Sequence, residues 1–415
     1  MRAPVALLLL LVHALCGAAA AQPFTSDKRL LQSEGILRGS PRLMGLAGSF
    51  VGIAEGAEGQ TRNPAAVAHK DPHFENDFTV DFAGTMHFQF FGTAKTEDWD
   101  NDGAVDLTDF SIGQIENSQV FYSMASVQYG RVGAGIGFDL QNFQGTYQNQ
   151  DIANVSLLHL FGSLGVSLGE DAVLIGVGVE SSHAGATYTP NRDVNATELR
   201  SYHGFGYQFG GLYRPKDENY RIGVAFKPQT IAEATGSTET IGPLSTFSAA
   251  VTPARLSLGG SYALGSGGRA LNIASRSGLV ETGELDENQL PIFSAAMTRW
   301  LFSAQLDVFL PVENAVTVSA FLAQQGTAPA LTAGNRVAFL PRLALEKELW
   351  PDRFRLRAGG YLEPAMVETG LLRPHVTFGF EIFLFKLGPQ RLAFGLSFDF
   401  ARRYSNLSFA VVVWK

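Results

Sequence analysis

The sequence predicts an all-β protein, a transmembrane antiparallel β-barrel of fourteen to sixteen strands, and three observations predict it. From Asn76 to the C-terminus apolar and polar residues alternate with period two, the spacing of a strand whose successive side chains point to opposite faces. Many runs reach ten or more residues, as a tilted membrane strand of about 9 to 11 residues requires, whereas strands of soluble proteins centre on about 5 to 6. The connections alternate between tight and long, matching short periplasmic turns and longer external loops.

Taken in order, the chain opens with a secretory leader. Arg2 supplies positive charge, Val5 to Leu15 is an apolar core broken by His13, and Ala19-Ala20-Ala21 offers a small-residue cleavage site, so residues 1–21 read as a signal peptide. Cys16 lies in that leader behind Leu15, which argues against a lipid-modified cysteine and leaves the mature chain without thiol chemistry. Residues 22–75 form a glycine-rich N-terminal unit and 76–415 the barrel. With 17% charged residues and 45 Gly the chain is poor in charge, while its formal charge of −8 and lack of a basic block argue against a nucleic-acid partner.

Along the barrel one face is apolar and the other small or charged. Phe78, Val80 and Phe82 oppose Asp77, Thr79 and Asp81; Val132, Ile136 and Phe138 oppose Gly133, Gly135 and Asp139; Val376, Phe378 and Phe380 oppose Thr377, Gly379 and Glu381. A soluble sandwich would bury the apolar face and a membrane barrel would turn it to lipid; strand length and glycine-rich inner faces favour the barrel. Connections at the long-loop end are expected at Thr93 to Asn117, Gln148 to Asp151 (modest), Pro190 to Glu198, Gly236 to Thr246, Glu281 to Pro291, Gln325 to Asn335, Glu363 to Arg373 and Arg402 to Ser405. Tight ones are expected at Gly130, Gly169-Glu170, Lys216 to Asn219, Gly265 to Gly268, Pro311 to Asn314, Pro351-Asp352 and Gly388 to Gln390. This parity closes at sixteen strands, or at fourteen if the weakly alternating Arg269 to Leu279 and Ile292 to Thr298 are not strands.

One hairpin reads to single residues. A two-residue turn at Pro351-Asp352 sets Glu348 against Arg355 and Glu346 against Arg357 on the lumen face, with Leu349 and Phe354 paired outside. Reversing Glu346 alone is then expected to disturb folding more than reversing Glu346 and Arg357 together; solvated charges of a soluble hairpin are the other reading.

The stretch Arg38 to Ala68, RGSPRLMGLAGSFVGIAEGAEGQTRNPAAVA, alternates glycines with small or apolar residues, which lets backbone pack closely in a confined space. Gly48, Ser49, Phe50, Val51, Gly52, Ile53 and Ala54, the acidic stretch Glu55 to Glu58, and then Asn63, Pro64 and Ala65 together resemble the N-terminal signature of the FadL/TodX-like outer-membrane transporters of hydrophobic molecules and their PorV-like relatives. Leu340 to Pro364 resembles the family's late hairpin, while Thr61 and Arg62 depart from its pattern before Asn63. The resemblance implies a hatch that plugs the lumen, with the turn at Asn63, Pro64 and Ala65 inside it; Arg62, beside that turn and expected to point into a lumen carrying Asp and Glu, reads as a latch. It implies passive uptake of hydrophobic compounds such as long-chain fatty acids across the outer membrane of a Gram-negative bacterium. The alternative is a PorV-like structural or adaptor barrel in protein export or surface attachment. Outer-membrane lipid, hydrophobic small molecules, the barrel-assembly machinery and, for the adaptor, a secretion partner are the implied partners. Leu407, Phe409, Val411 and Val413 continue the alternation into the closing strand.

One motif lies outside that resemblance. Asp98, Asp100, Asp102, Asp106 and Asp109 stand at positions 1, 3, 5, 9 and 12 of a loop with Gly103 at 6 and the Ala104 carbonyl at 7, a spacing that suits Ca2+ in the first external loop. A solvated acidic loop is the other reading. The eight histidines show no H-E-x-x-H, His87 and His203 read as lumen or interface residues, and no nucleophile elbow or phosphate loop occurs, so no enzyme is expected.

Overall fold

Strands dominate the chain because alternation leaves each with one face that must be kept from water. The computed structural model describes residues 27–32, 37–69, 78–88, 119–146, 151–216, 218–235, 240–265, 269–272, 300–322, 332–350, 353–366, 372–387 and 390–413. The order is β1 (Arg29–Leu31), β2 (Phe78–Phe88), β3 (Gln119–Tyr129), β4 (Val132–Thr146), β5 (Ile152–Leu168), β6 (Val173–Thr189) and β7 (Glu198–Tyr213). It continues with β8 (Tyr220–Lys227), β9 (Thr230–Thr235), β10 (Thr240–Ile241), β11 (Leu244–Ser245), β12 (Ala249–Thr252), β13 (Arg255–Leu264) and β14 (Trp300–Phe309). The last are β15 (Ala315–Val316), β16 (Thr332–Ala333), β17 (Ala338–Trp350), β18 (Phe354–Glu363), β19 (Arg373–Leu387), β20 (Gln390–Ala401) and β21 (Tyr404–Val413). Among the described residues three short α-helices, α1 (Pro41–Gly45), α2 (Gly56–Gly59) and α3 (Val318–Leu322), lie between them.

Fourteen antiparallel wall strands close into a barrel. β8 and β9 make one wall strand interrupted at Pro228, and β12 and β13 another interrupted at Pro253, where a missing N–H breaks the ladder. The last wall strand meets the first: β21 pairs with β2 from Ala83 opposite Val412 to Phe88 opposite Leu407. The apolar face is the outer one. Phe205 is 76% exposed, Ile136 69% and Leu343 67%, whereas their inward neighbours are buried and mostly small or polar. A continuous apolar exterior of this kind suits lipid, not water.

Of the two expected counts the wall has the smaller, fourteen strands and not sixteen. β14 pairs directly with β13 on one side and β17 on the other, from Phe309 opposite Arg255 and Ala338 to Trp300 opposite Leu264 and Lys347. No wall position remains for a strand at Arg269–Asn272, which is a single 3-10 turn, or after Asn314, where the two-residue β15 leads into α3 inside the barrel. Ile292 to Thr298 lies outside the described residues. The strict alternation of tight and long connections fails at the same place. The β13–β14 connection, expected to be tight, runs from Gly265 to 299 at the end that carries the turns, and Pro311 to Asn314 sits at the loop end. In the late hairpin a bulge after Glu348 makes Trp350, rather than Leu349, the partner of Phe354.

β1 does not join the wall as a hairpin strand. It lies parallel between β12 and β15, Leu30 opposite Ala250 and Val316, with both of its faces buried.

Candidate functional site

The inside of the barrel carries the features that could act on a ligand, and they are stacked in three levels. At the turn end the chain from Leu37 to His69 fills the lumen and is almost wholly buried. Its turns are set locally. Ser40 caps α1 by accepting from Leu43 N at 3.2 Å, with Pro41 at the first helical position where its missing N–H costs nothing. Asn63 caps the 3-10 turn Pro64–Ala68, its Oδ1 accepting from Ala65 N at 3.1 Å. Its Nδ2 donates to Val51 O at 3.2 Å and to Gly211 O on β7 at 3.0 Å, tying the segment to itself and to the wall. The wall yields space by glycine: a Cβ on Gly133 would collide with the Val67 carbonyl, and one on Gly176 with the Pro64–Ala65 peptide.

Charge fastens the segment. Arg42 donates from Nε and Nη2 to the two oxygens of Glu346 on β17 at 2.9 and 3.1 Å, a bidentate pair, and from Nη1 to Glu55 Oε2 at 2.7 Å. Arg221 of β8 donates to the other Glu55 oxygen at 2.7 Å. Glu346 also accepts from Arg357 Nε at 2.7 Å, and Arg357 Nη2 reaches Glu381 at 2.7 Å. Arg355 and Glu348 stand 3.8 Å apart. Burial opposes the charge on Arg42, but Glu346, Glu55 and Glu58 outweigh it and hold its pKa well above the ordinary value. Beside this network Gln305 Oε1 accepts from both Phe50 N and Val51 N at 2.9 Å, and Arg342 joins Asp307 at 2.8 Å to the Ala47 carbonyl.

Glu346 and Arg357 are therefore two members of a chain of charges and not an isolated pair. The hairpin register that sets them opposite one another was readable from the alternation, whereas Arg42, 304 residues from Glu346, carried no sequence signal beyond its place in a glycine-rich run.

The middle level is a polar cavity of about 40 Å³, room for about three waters. Arg62, Asp139, His159, Glu180, Lys227 and Arg255 are among its lining. Glu180 is held by Lys227 Nζ at 2.6 Å and His159 Nδ1 at 2.9 Å, and Arg38 faces Asp139 at 3.3 Å. Arg62 is buried at this level, its carbonyl accepting from Gln208 Nε2 at 3.2 Å.

Above it, at the loop end, lies the apolar level. Inward side chains of β4 to β7, among them Phe143, Val155, Leu157 and Tyr202, meet Leu30 of β1, Phe247 and Phe321 in one buried cluster. Tyr202 stacks on Phe247 with centroids 4.2 Å apart, and Phe321 meets Phe247 edge-on at 5.3 Å. Asp98, Asp100, Asp102, Ala104, Asp106 and Asp109, the proposed Ca2+ loop, lie outside the described residues, as does the leader.

No family model matches this chain, and no curated protein matches it in sequence. Among solved structures it is similar to the CymD monoaromatic hydrocarbon channel, at 12% identity and a TM-score of 0.50 over 90% of this chain and 96% of that one. A Pseudomonas aeruginosa FadL homologue is 12% identical over 95% and 99% of the two chains at a TM-score of 0.49. The Ralstonia pickettii toluene transporter TbuX is 12% identical over 90% and 96% at 0.49. At this identity the likeness to CymD concerns the shared fold.

Proposed function

We propose that this protein is a gated barrel of a Gram-negative outer membrane that passes hydrophobic compounds, long-chain fatty acids among them, passively toward the periplasm. The observation that carries the reading is the apolar level at the loop end, because the lumen of a water-filled porin would present polar groups there. An apolar ligand gains about 25 cal/mol per Å² buried, so 200 Å² is worth roughly 5 kcal/mol before the cost of association. The polar cavity among the described residues holds about three waters, so in this reading entry of such a ligand requires Phe247, Phe321 and β1 to give way. In this reading residues 22–75 act as the hatch, the turn at Asn63, Pro64 and Ala65 anchors it, and Arg62 is its latch. CymD, described as a monoaromatic hydrocarbon channel, makes small aromatics a second ligand class to test. Lipid covers the outer face, and the barrel-assembly machinery reads the closing strand.

The filled and ion-paired interior also favours a second reading, a sealed PorV-like adaptor with a partner in protein export or surface attachment. Flux measurements separate the two. Purified protein in lipid vesicles is expected to speed fatty-acid entry over empty vesicles, and Phe321→Asp to slow it. No acceleration, together with a stable protein partner recovered from the native membrane, would favour the adaptor.

A further inference from the structure

Strands β4 to β7 run well past the apolar belt. On their outer face the side chains are apolar from Val132 to Leu140 on β4 and from Val173 to Val179 on β6, and then turn polar, with Asn142 on β4 and Ser181 and His183 on β6. At this boundary the register sets His183 of β6 directly opposite His203 of β7. Their Nδ1 atoms lie 2.6 Å apart and the rings are nearly perpendicular, at 87°. Ser181 Oγ stands 2.8 Å from His183 Nε2. On the other side of β7, β9 places Glu233 opposite His203, outward and exposed. Residues paired in this way have Cβ atoms about 4.5–5.5 Å apart, so two imidazoles and a carboxylate form one row across three strands.

We propose that His183 and His203 bind a divalent transition metal ion of the Zn2+ or Cu2+ class on the outer face of the barrel, with Glu233 as the third ligand. Imidazole suits those ions and not Ca2+ or Mg2+, which take oxygen. In the tautomer that binds metal, His183 donates its Nε2 proton to Ser181 Oγ, 2.8 Å away, which leaves the Nδ1 lone pair to the ion and supplies the outer hydrogen bond that metal-bound histidines ordinarily have. Without metal that lone pair accepts from His203 Nδ1. When the ion enters, the proton on His203 Nδ1 moves to its Nε2, and both Nδ1 lone pairs face the ion. Zn–N bonds of about 2.0–2.1 Å at a tetrahedral angle hold the two nitrogens roughly 3.3 Å apart, so the rings part by less than about 1 Å. Among the described residues no three His, Cys, Asp or Glu side chains are already gathered on one point. Glu233 turns in to complete the set, with water at the remaining position.

The test uses the full-length folded protein in detergent, without a polyhistidine tag, and Zn2+ alone as the probe in calorimetry. One ion per chain is expected to bind at neutral pH. His183→Ala and His203→Ala each weaken it at least tenfold, Glu233→Gln weakens it several-fold, and binding weakens in acid because the ligand nitrogens must be deprotonated to bind the ion. Heat-modifiable gel migration checks that each variant is folded, which the outward position of the row favours. Zn2+ binding that is absent, or unchanged in both histidine variants, overturns the site; unchanged affinity in Glu233→Gln removes the carboxylate from it.

Discussion

Replacing Glu346 by Leu removes one carboxylate from between two buried guanidinium groups, and the consequence depends on what each of them keeps. Glu346 accepts three charged hydrogen bonds, at 2.9 and 3.1 Å from Arg42 and at 2.7 Å from Arg357. Breaking a buried pair by removing one partner costs about 3–5 kcal/mol, because the other charge is left uncompensated. Arg357 retains Glu381 and Arg42 retains Glu55, so the lower part of that range is expected. Adding Arg42→Met to Glu346→Leu takes away the stranded charge and leaves two intact pairs, Glu55 with Arg221 and Arg357 with Glu381. The double variant is therefore expected to lose less than Glu346→Leu alone, a coupling of about 1.5 kcal/mol or more. Exchanging the charges by Glu346→Arg with Arg357→Glu is expected to be worse than Glu346→Leu. The new arginine meets Arg42 and the new glutamate meets Glu381, so the rescue that an isolated hairpin pair would show does not occur. Urea unfolding of the detergent-folded barrel, followed by tryptophan fluorescence and gel migration, gives the stabilities of the parent, the two single variants Glu346→Leu and Arg42→Met, their double variant and the charge exchange. Additive losses from Arg42→Met and Glu346→Leu, or a charge exchange that restores stability, would refute the network.

Three further outcomes can be measured, two of them on the interior. Gly133→Val drives a side chain into the Val67 carbonyl and is expected to displace the inner segment, read as new conductance in planar bilayers with the barrel still heat-modifiable; unchanged conductance would show that the segment is not what closes the lumen. Arg62→Ala, at the cavity lining, is expected to raise permeability to hydrophobic dyes in vesicles, and an unchanged rate would count against a latch. The loop Asp98 to Asp109 grafted into a carrier is expected to bind Ca2+ in calorimetry, and no heat at millimolar ion would leave it an acidic loop.

Alternation with period two is a local property, so the sequence by itself determined which residues face lipid and which face the lumen, and it set Glu346 against Arg357 through the length of one turn. The small residues of Arg38 to Ala68 likewise marked a chain suited to close packing. Which wall strand pairs with which is decided by contacts far apart in sequence. β14 reaches past α3 to β17, which reduces the wall to fourteen strands although Ala315–Leu322 follows a plausible turn. Arg42 finds Glu346 across 304 residues, and nothing local to either one shows it. His183 and His203 stand twenty residues apart, with no spacing that suggests a pair. A loop of fixed length and the resulting β6–β7 register bring their rings together on the outside of the barrel. Tertiary structure alone decides such partners, because a shift of one residue in register would have turned the two histidines to opposite faces.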